Sequence, residues 1–333
     1  MILLDALRPP SPLDPSAPAY KEWLHLNVLD HASGSVGLIN VSLHGAPDDS
    51  RSLAIGTALV HVPGLGWTGN AEVRGLDDVG LGVAGVALEH VALAVDHLSG
   101  AVLASARFPD DAFFLQLTAT DRTPAIDIEQ PIPLGSGWIA WYVIPRLSAN
   151  GRLMVGKRQI DFVAASAYHD HNWGRWHWGD DLGWEWGAFL APAPGPAFVM
   201  TRTTDRSHHR PGRPMLVVQA GQKRRTFSGP SVELAYTGML EVRLRRVPGA
   251  LAALHPDRMA PPLPAALRVR ADDGRDRVLV EFTARAAAQL IAGDPAVAGY
   301  GFLHEIVGEF TARGHVGDTD VSGGGLAVVE HVD

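Results

Sequence analysis

Cysteine is absent from all 333 residues, which excludes disulfides, thiolate nucleophiles, iron–sulfur clusters and cysteine-ligated zinc. Lysine is nearly absent, occurring only at Lys21, Lys157 and Lys223, so almost all positive charge is guanidinium, a pattern of coding bias rather than of function. Charged residues make up only 19% of the chain and their balance is −8. A field of that sign repels phosphate backbones, so nucleic acid is not expected as a partner. No uncharged apolar run reaches the ~18 residues needed to span a bilayer, although contact with a membrane surface for substrate uptake stays open. The start, Met1 to Leu7, is broken by Asp5 and followed by Arg8-Pro9-Pro10. It lacks the charged and apolar regions of a signal peptide, so a cytoplasmic protein is expected.

What is present is 46% hydrophobic sequence, enough for a folded body of roughly two domains on a prior of ~150 residues each. From Trp23 the chain falls into short β-type runs at 23–29, 35–43, 52–62, 86–95, 101–107, 112–119 and 125–130, separated by turn residues. A second series runs through 184–190, 197–203, 215–220, 224–228, 232–237, 240–246, 267–271, 277–284, 302–312 and 326–332. Strands at this spacing predict an all-β protein of two antiparallel barrels or sandwiches. The expected organisation is an extended arm over 1–19 and domains over 20–181 and 182–333. One helix is expected over Thr283–Ile291, stopped by Gly293 and Pro295. The excursion 247–264, with a helical turn at Leu251–Leu254, reads as a lid.

Several motifs dissolve on inspection. Gly80-Leu-Gly82-Val-Ala-Gly85 spells a dinucleotide fingerprint, but its surroundings suit a hairpin rather than a strand-to-helix turn. His304-Glu305-Ile-Val-Gly308 has glycine where a zincin helix needs its second histidine. His208-His209-Arg210 lies among arginine and proline and reads as a solvated loop.

The informative stretch is Tyr168-His169-Asp170-His171-Asn172-Trp173-Gly174, inside a segment, 138–181, that has seven of the nine tryptophans within it or at its edge. On a strand, Tyr168, Asp170 and Asn172 share one face while His169, His171 and Trp173 share the other. Three readings follow. The cluster satisfies backbone groups at a barrel edge; or tryptophan-walled burial keeps Asp170 protonated as a general acid; or His169 and His171 bind a metal with His177, Asp180 or Asp181.

These residues resemble the carotenoid 1,2-hydratase (hydroxyneurosporene synthase) and AttH-like family, which includes related pericyclases. The 168–174 heptad carries most of the match. Glu22-Trp23 resembles the family's opening strand, Trp141–Pro145 its tryptophan-bearing strand, and Phe302–Gly308 with Gly325–Val332 its closing glutamate-bearing pair. The resemblance spans nearly the whole chain and implies two lipocalin-like (calycin) β-barrels packed together. It implies further that Asp170 protonates a carbon–carbon double bond beside Tyr168, after which water or an internal double bond captures the cation. Two positions depart from the pattern: Ile139 stands where the hydratases carry histidine, and Trp23-Leu24-His25 replaces a more aromatic opening.

The reading that results is a cofactor-independent hydratase or cyclase acting on an apolar isoprenoid or polyene. Asp170 is the acid, and Tyr168 and Asn172 orient it. Trp141, Trp173 and Trp186, with His169 and His171, form the binding surface, and no metal is assigned. The rival readings are a pericyclase that orients a polyene and a non-catalytic carrier of hydrophobic ligands.

Overall fold

A computed structural model describes residues 5–11, 13–46, 49–241, 244–247, 263–293 and 299–333. The chain divides into two compact units, Met1–Asp180 with Gly293–Tyr300, and Asp181–Ala292 with Gly301–Asp333. Each is built on one curled antiparallel sheet, so the all-β, two-sheet expectation is borne out.

In the first unit the strands are β1 (Tyr20–Asp30), β2 (Ser35–His44), β3 (Leu53–Val62), β4 (Gly66–Gly75), β5 (Gly80–Gly82), β6 (Gly85–Ala87), β7 (Val91–Val95), β8 (Val102–Phe108), β9 (Phe113–Thr120), β10 (Ile126–Leu134), β11 (Gly137–Val155) and β12 (Arg158–Arg175). They run in the order β4-β3-β2-β1-β12-β11-β9-β8-β7-β6-β5, with β10 against β11. Alternation decides the faces. In β8, Val102, Ala104, Ala106 and Phe108 are buried while Leu103, Ser105 and Arg107 are exposed. The core gathers Leu24, Leu26 and Val28 of β1 with Ile39, Val41, Leu115 and Tyr142.

The second unit holds β13 (Gly183–Leu190), β14 (Ala197–Thr204), β15 (Met215–Ala220), β16 (Lys223–Ser228), β17 (Val232–Met239), β18 (Arg245–Val247), β19 (Pro264–Asp272), β20 (Arg277–Gly293), β21 (Tyr300–Val316), β22 (Thr319–Asp320) and β23 (Gly323–Val332). Their order is β16-β15-β14-β13-β23-β21-β20-β19-β17. Phe189, Phe198, Phe282 and Phe310 pack edge to face at its core.

The expected helix over Thr283–Ile291 is instead the second half of β20. The alanines there favour a helix locally, but Ala288 and Leu290 pair in parallel with β18 and the strand lies between β19 and β21. Tertiary pairing overrides propensity. Residues 248–262, including Leu251–Leu254, lie outside the described residues, as does Pro295. Gly80–Gly85 forms the β5–β6 hairpin, with Gly82 opposite Gly85, and opens no helix.

The Trp-rich segment is the longest hairpin of its sheet, β11 and β12 pairing from Trp138 opposite Arg175 to Val155 opposite Arg158. Two bulges set its phase. Val163 and Ala164 together oppose Asn150, with Ala164 at φ +49° and its N–H donated to Asn150 Oδ1. Pro145 and Arg146 together oppose Tyr168. Each extra residue moves the following side chains to the other face. Phe162 therefore faces the core, yet so do Ala165, Ala167 and Trp173.

Candidate functional site

This phase puts Tyr168, Asp170 and Asn172 on the face of β12 away from the first unit's core. Tyr168 Oη donates to Asp170 Oδ2 at 2.7 Å, and Asn172 Nδ2 donates to Oδ1 at 2.5 Å. All three are buried, Tyr168 at 0% exposure and the other two at 7%. The carboxyl is thus held by two neighbours on its own strand. Burial favours its neutral form and donated hydrogen bonds favour the carboxylate. Both contacts suit a carboxylic acid as well, with Oδ1 accepting the amide and the proton on Oδ2, because a tyrosine hydroxyl can accept as readily as donate.

The adjoining strands complete this face. On β1, Trp23, His25 and Asn27 stand opposite Asn172, Asp170 and Tyr168; on β11, Trp141 and Val143 stand opposite Asn172 and Asp170. His25 Nε2 lies 3.0 Å from Asn27 Oδ1, and Asn40 Nδ2 on β2 lies 3.3 Å from His25 Nδ1. Burial pushes the His25 imidazole down to about 4, so the ring is neutral at physiological pH. Trp23 meets Trp176 edge to face at 5.6 Å. Gly174 closes this end of the strand, since a Cβ there would sit 2.2 Å from the Trp138 carbonyl oxygen.

His169, His171 and Trp173 face the core side, and the chain's own residues engage all three. His169 Nδ1 bonds the His25 carbonyl at 2.8 Å and Nε2 reaches Asp5 Oδ1 at 3.0 Å. Burial alone would lower the His169 pKa, but the Asp5 carboxylate outweighs it and the imidazole is raised above its ordinary value. Asp5, opposed by its own burial, is held low by His169. His171 Nε2 lies 2.8 Å from Glu22 Oε1, which also accepts the Arg8 N–H, and the Arg8 guanidinium stacks 3.7 Å from the Trp173 ring. Asp5, within the expected arm, is thus buried, and Arg8 packs on Trp173. Asp180, offered above as a metal ligand, accepts instead from Ser136.

In the second unit Trp186 lies half-buried on β13, opposite Thr201 and Glu330. Two polar clusters lie there, of which the sequence signals only the glutamate-bearing strand pair. On the core side, Glu185 accepts from Arg202, His208 Nδ1 and Tyr236 Oη. Against the cost of burial, these partners lower its carboxyl to about 2. His208 stacks on His331 at 3.7 Å, so the expectation of a solvated loop is corrected for this residue: a buried carboxylate draws it in. His304 lies on strand β21, bonded to Gln289 and the His331 carbonyl. On the opposite face, Glu305 pairs in register with Glu330, which accepts from the Trp184 indole. Burial raises Glu330 against hydrogen bonds from Trp184 and Glu305.

The architecture recurs in solved proteins. An AttH-type protein of Nitrosomonas europaea superposes with a TM-score of 0.69 at 16% identity, over 98% of this chain and 99% of that one. Kievitone hydratase from Nectria haematococca follows at 0.62 and 12%, over 99% and 93%. CghA with Sch210972 gives 0.59 and 13%, over 95% and 89%. No protein-family profile and no curated protein matches the sequence. At these identities the likeness establishes the fold, that of AttH-like proteins, kievitone hydratase and CghA. Among the described residues no helix is long and apolar enough to cross a membrane.

Proposed function

We propose that this protein is a cofactor-independent hydratase or cyclase that protonates a carbon–carbon double bond in an apolar isoprenoid or polyene, with Asp170 as general acid. The observation that carries this reading is the grip on both oxygens of the buried Asp170 carboxyl by Tyr168 and Asn172. Oδ2 carries the proton and delivers it to the alkene; the carboxylate left behind is held by the Tyr168 hydroxyl and the Asn172 amide. Trp23 and Trp141 flank this face through their places opposite Asn172, and indole faces stabilise the tertiary cation that forms. Water capture gives a tertiary alcohol; capture by a second double bond gives a ring. Sharing a fold with a hydratase supports the first outcome. A carotenoid is one substrate of the required kind.

The second reading, orienting or carrying a polyene without proton transfer, draws support from the shared fold of CghA, solved with Sch210972. Incubation of the purified protein with farnesol, geranylgeraniol and an acyclic carotenoid, followed by mass spectrometry, separates them. Gain of one water, or an isomeric ring lost in Asp170→Asn, supports the acid. Unchanged compound held at one per chain favours the carrier.

A further inference from the structure

An apolar isoprenoid or polyene dissolves in a bilayer rather than in water, so a chain that acts on one must collect it from lipid. We propose that one end of the first unit is a membrane-contacting surface, where Leu98 and Val83 enter the outer hydrocarbon of a bilayer and the substrate is taken up. The inference rests on the apolar-substrate reading above and names where that substrate comes from.

Two hairpin tips make the surface. The pairs Gly82–Gly85, Gly85–Ala94 and Ala94–Leu103 form one row across β5 to β8, so the β5–β6 turn at Val83-Ala84 and the β7–β8 turn at 96–101 leave the sheet at the same end. Leu98, on the second tip, is 99% exposed and Val83, on the first, 64%. Isolated exposed apolar side chains are ordinary, but tight turns favour Asn, Asp, Gly and Ser, and these two residues serve neither the turn nor the core. The Leu98 turn is firmly built, because Asp96 Oδ1 accepts the Leu98 N–H at 3.0 Å and the Asp96 carbonyl accepts the Gly100 N–H at 2.7 Å. Beside the tips lies a groove of about 290 Å³, lined by Gly82, Gly85, Ala92, Ala94 and Val83, with His97 its one polar side chain.

Charge selects the occupant. From Gly80 through Ala106 the chain carries only Glu89 and Asp96 as formal charges. Glu89 lies between β6 and β7, at the other end, and pairs with Arg74; Asp96 is committed to its own turn. Arg122 is exposed, is in no salt bridge among the described residues, and lies against Gly100, where a Cβ would meet its guanidinium at 2.8 Å. Apolar tips with a cation at their base suit a bilayer, whose hydrocarbon takes the side chains and whose phosphates take the guanidinium. A second copy is less well served, since the edge strand β5 offers only three residues for pairing. The same end holds the acid. The row continues through Thr118 to Asn150 of β11, and from there β11 runs back past the tips' end of the row to Val143 and Trp141, opposite Asp170 and Asn172.

A chain without cysteine allows single-site labels. Leu98→Cys, Val83→Cys and Met154→Cys of the full chain each carry one environment-sensitive dye; Met154 is exposed at the far end of β11, opposite Phe114. On titration with phosphatidylcholine vesicles, without substrate, the dyes at 98 and 83 should shift to the blue and brighten, and the dye at 154 should not change. Unlabelled Leu98→Asp should need about tenfold or more lipid than wild type for half-maximal flotation, the worth of one buried leucine side chain. An equal response at 154, or a wild type that never floats with vesicles, overturns the proposal. A blue shift at 98 that grows with protein concentration and is indifferent to vesicles assigns the tips to self-association and overturns it as well. None of these readouts involves turnover, so vesicle binding by an inactive chain sinks only the acid reading, and turnover without vesicle binding sinks only this one.

Discussion

Replacing Asp170 by asparagine separates chemistry from architecture, and the contacts allow both effects to be worked out. The wild-type carboxyl meets Asn172 Nδ2 on Oδ1 and Tyr168 Oη on Oδ2. In Asp170→Asn the new amide oxygen faces Asn172 and keeps that bond. The new NH₂ faces the tyrosine oxygen, which turns from donor to acceptor, so the contacts with Tyr168 and Asn172 both survive. An unsatisfied buried donor would cost about 1–3 kcal/mol, and its avoidance predicts a stability change under about 1 kcal/mol. For a unit of this size that is a shift in Tm of roughly 2–4 °C at most. The amide cannot deliver a proton, so turnover should fall about 10²–10⁴-fold, the span of general acid catalysis. Tyr168→Phe behaves differently, because it removes one partner of a buried carboxyl and should cost about 1–3 kcal/mol as well as activity. Calorimetry and initial rates on the same preparations check both halves. An Asp170→Asn protein that melts like wild type and turns over like wild type refutes the argument; one that unfolds refutes the hydrogen-bond accounting.

The Asp5–His169 pair makes the first unit pH-dependent. With His169 raised above 6.5, its contribution is full below that value and is lost as pH rises through the raised pKa. The lowered Asp5 contributes above 3.8 and fails only as pH falls through its depressed value. Thermal melts should therefore show wild type losing stability on the alkaline side of 6.5, and Asp5→Asn should flatten that limb. Glu185, lowered from 4.5 to about 2, contributes on the order of 3 kcal/mol at neutral pH, lost as pH falls from 4.5 toward 2. Glu185→Gln should cost about that much in urea denaturation at pH 7 and little at pH 2. Glu330, raised above 4.5, is stabilising when protonated and loses that contribution as pH rises. Glu330→Gln should accordingly melt higher than wild type at pH 8, with the gap closing by pH 4.

Much of this was legible in advance. The alternation of β8 and β9 and the turn residues between them read directly as strands, because one face is wet and the other dry. β4 went unread because Gly66–Gly75 has little apolar alternation, being a half-buried edge strand whose two buried positions are Gly69 and Glu72. The β20 alanines misled because local propensity carries no knowledge of the partner strand. At the site, the same-face grouping of Tyr168, Asp170 and Asn172 follows from period two alone. His25 stood out only as a departure from the family's opening strand, and its place opposite Asp170 is a matter of register between positions 145 residues apart. Asp5 and Glu22, which occupy His169 and His171, gave no signal either, since partners distant in sequence leave no periodicity.

The double residue at Val163-Ala164 carries an evolutionary corollary. It works as a frame-shifter for the strand: everything beyond it in β12 is presented inside out relative to everything before it. Loss of one codon there would transpose the acid and the two imidazoles wholesale, carrying the carboxyl inward and the histidines outward while altering none of them. In such a hairpin, chemistry is governed less by which residues mutate than by how many separate them from the kink.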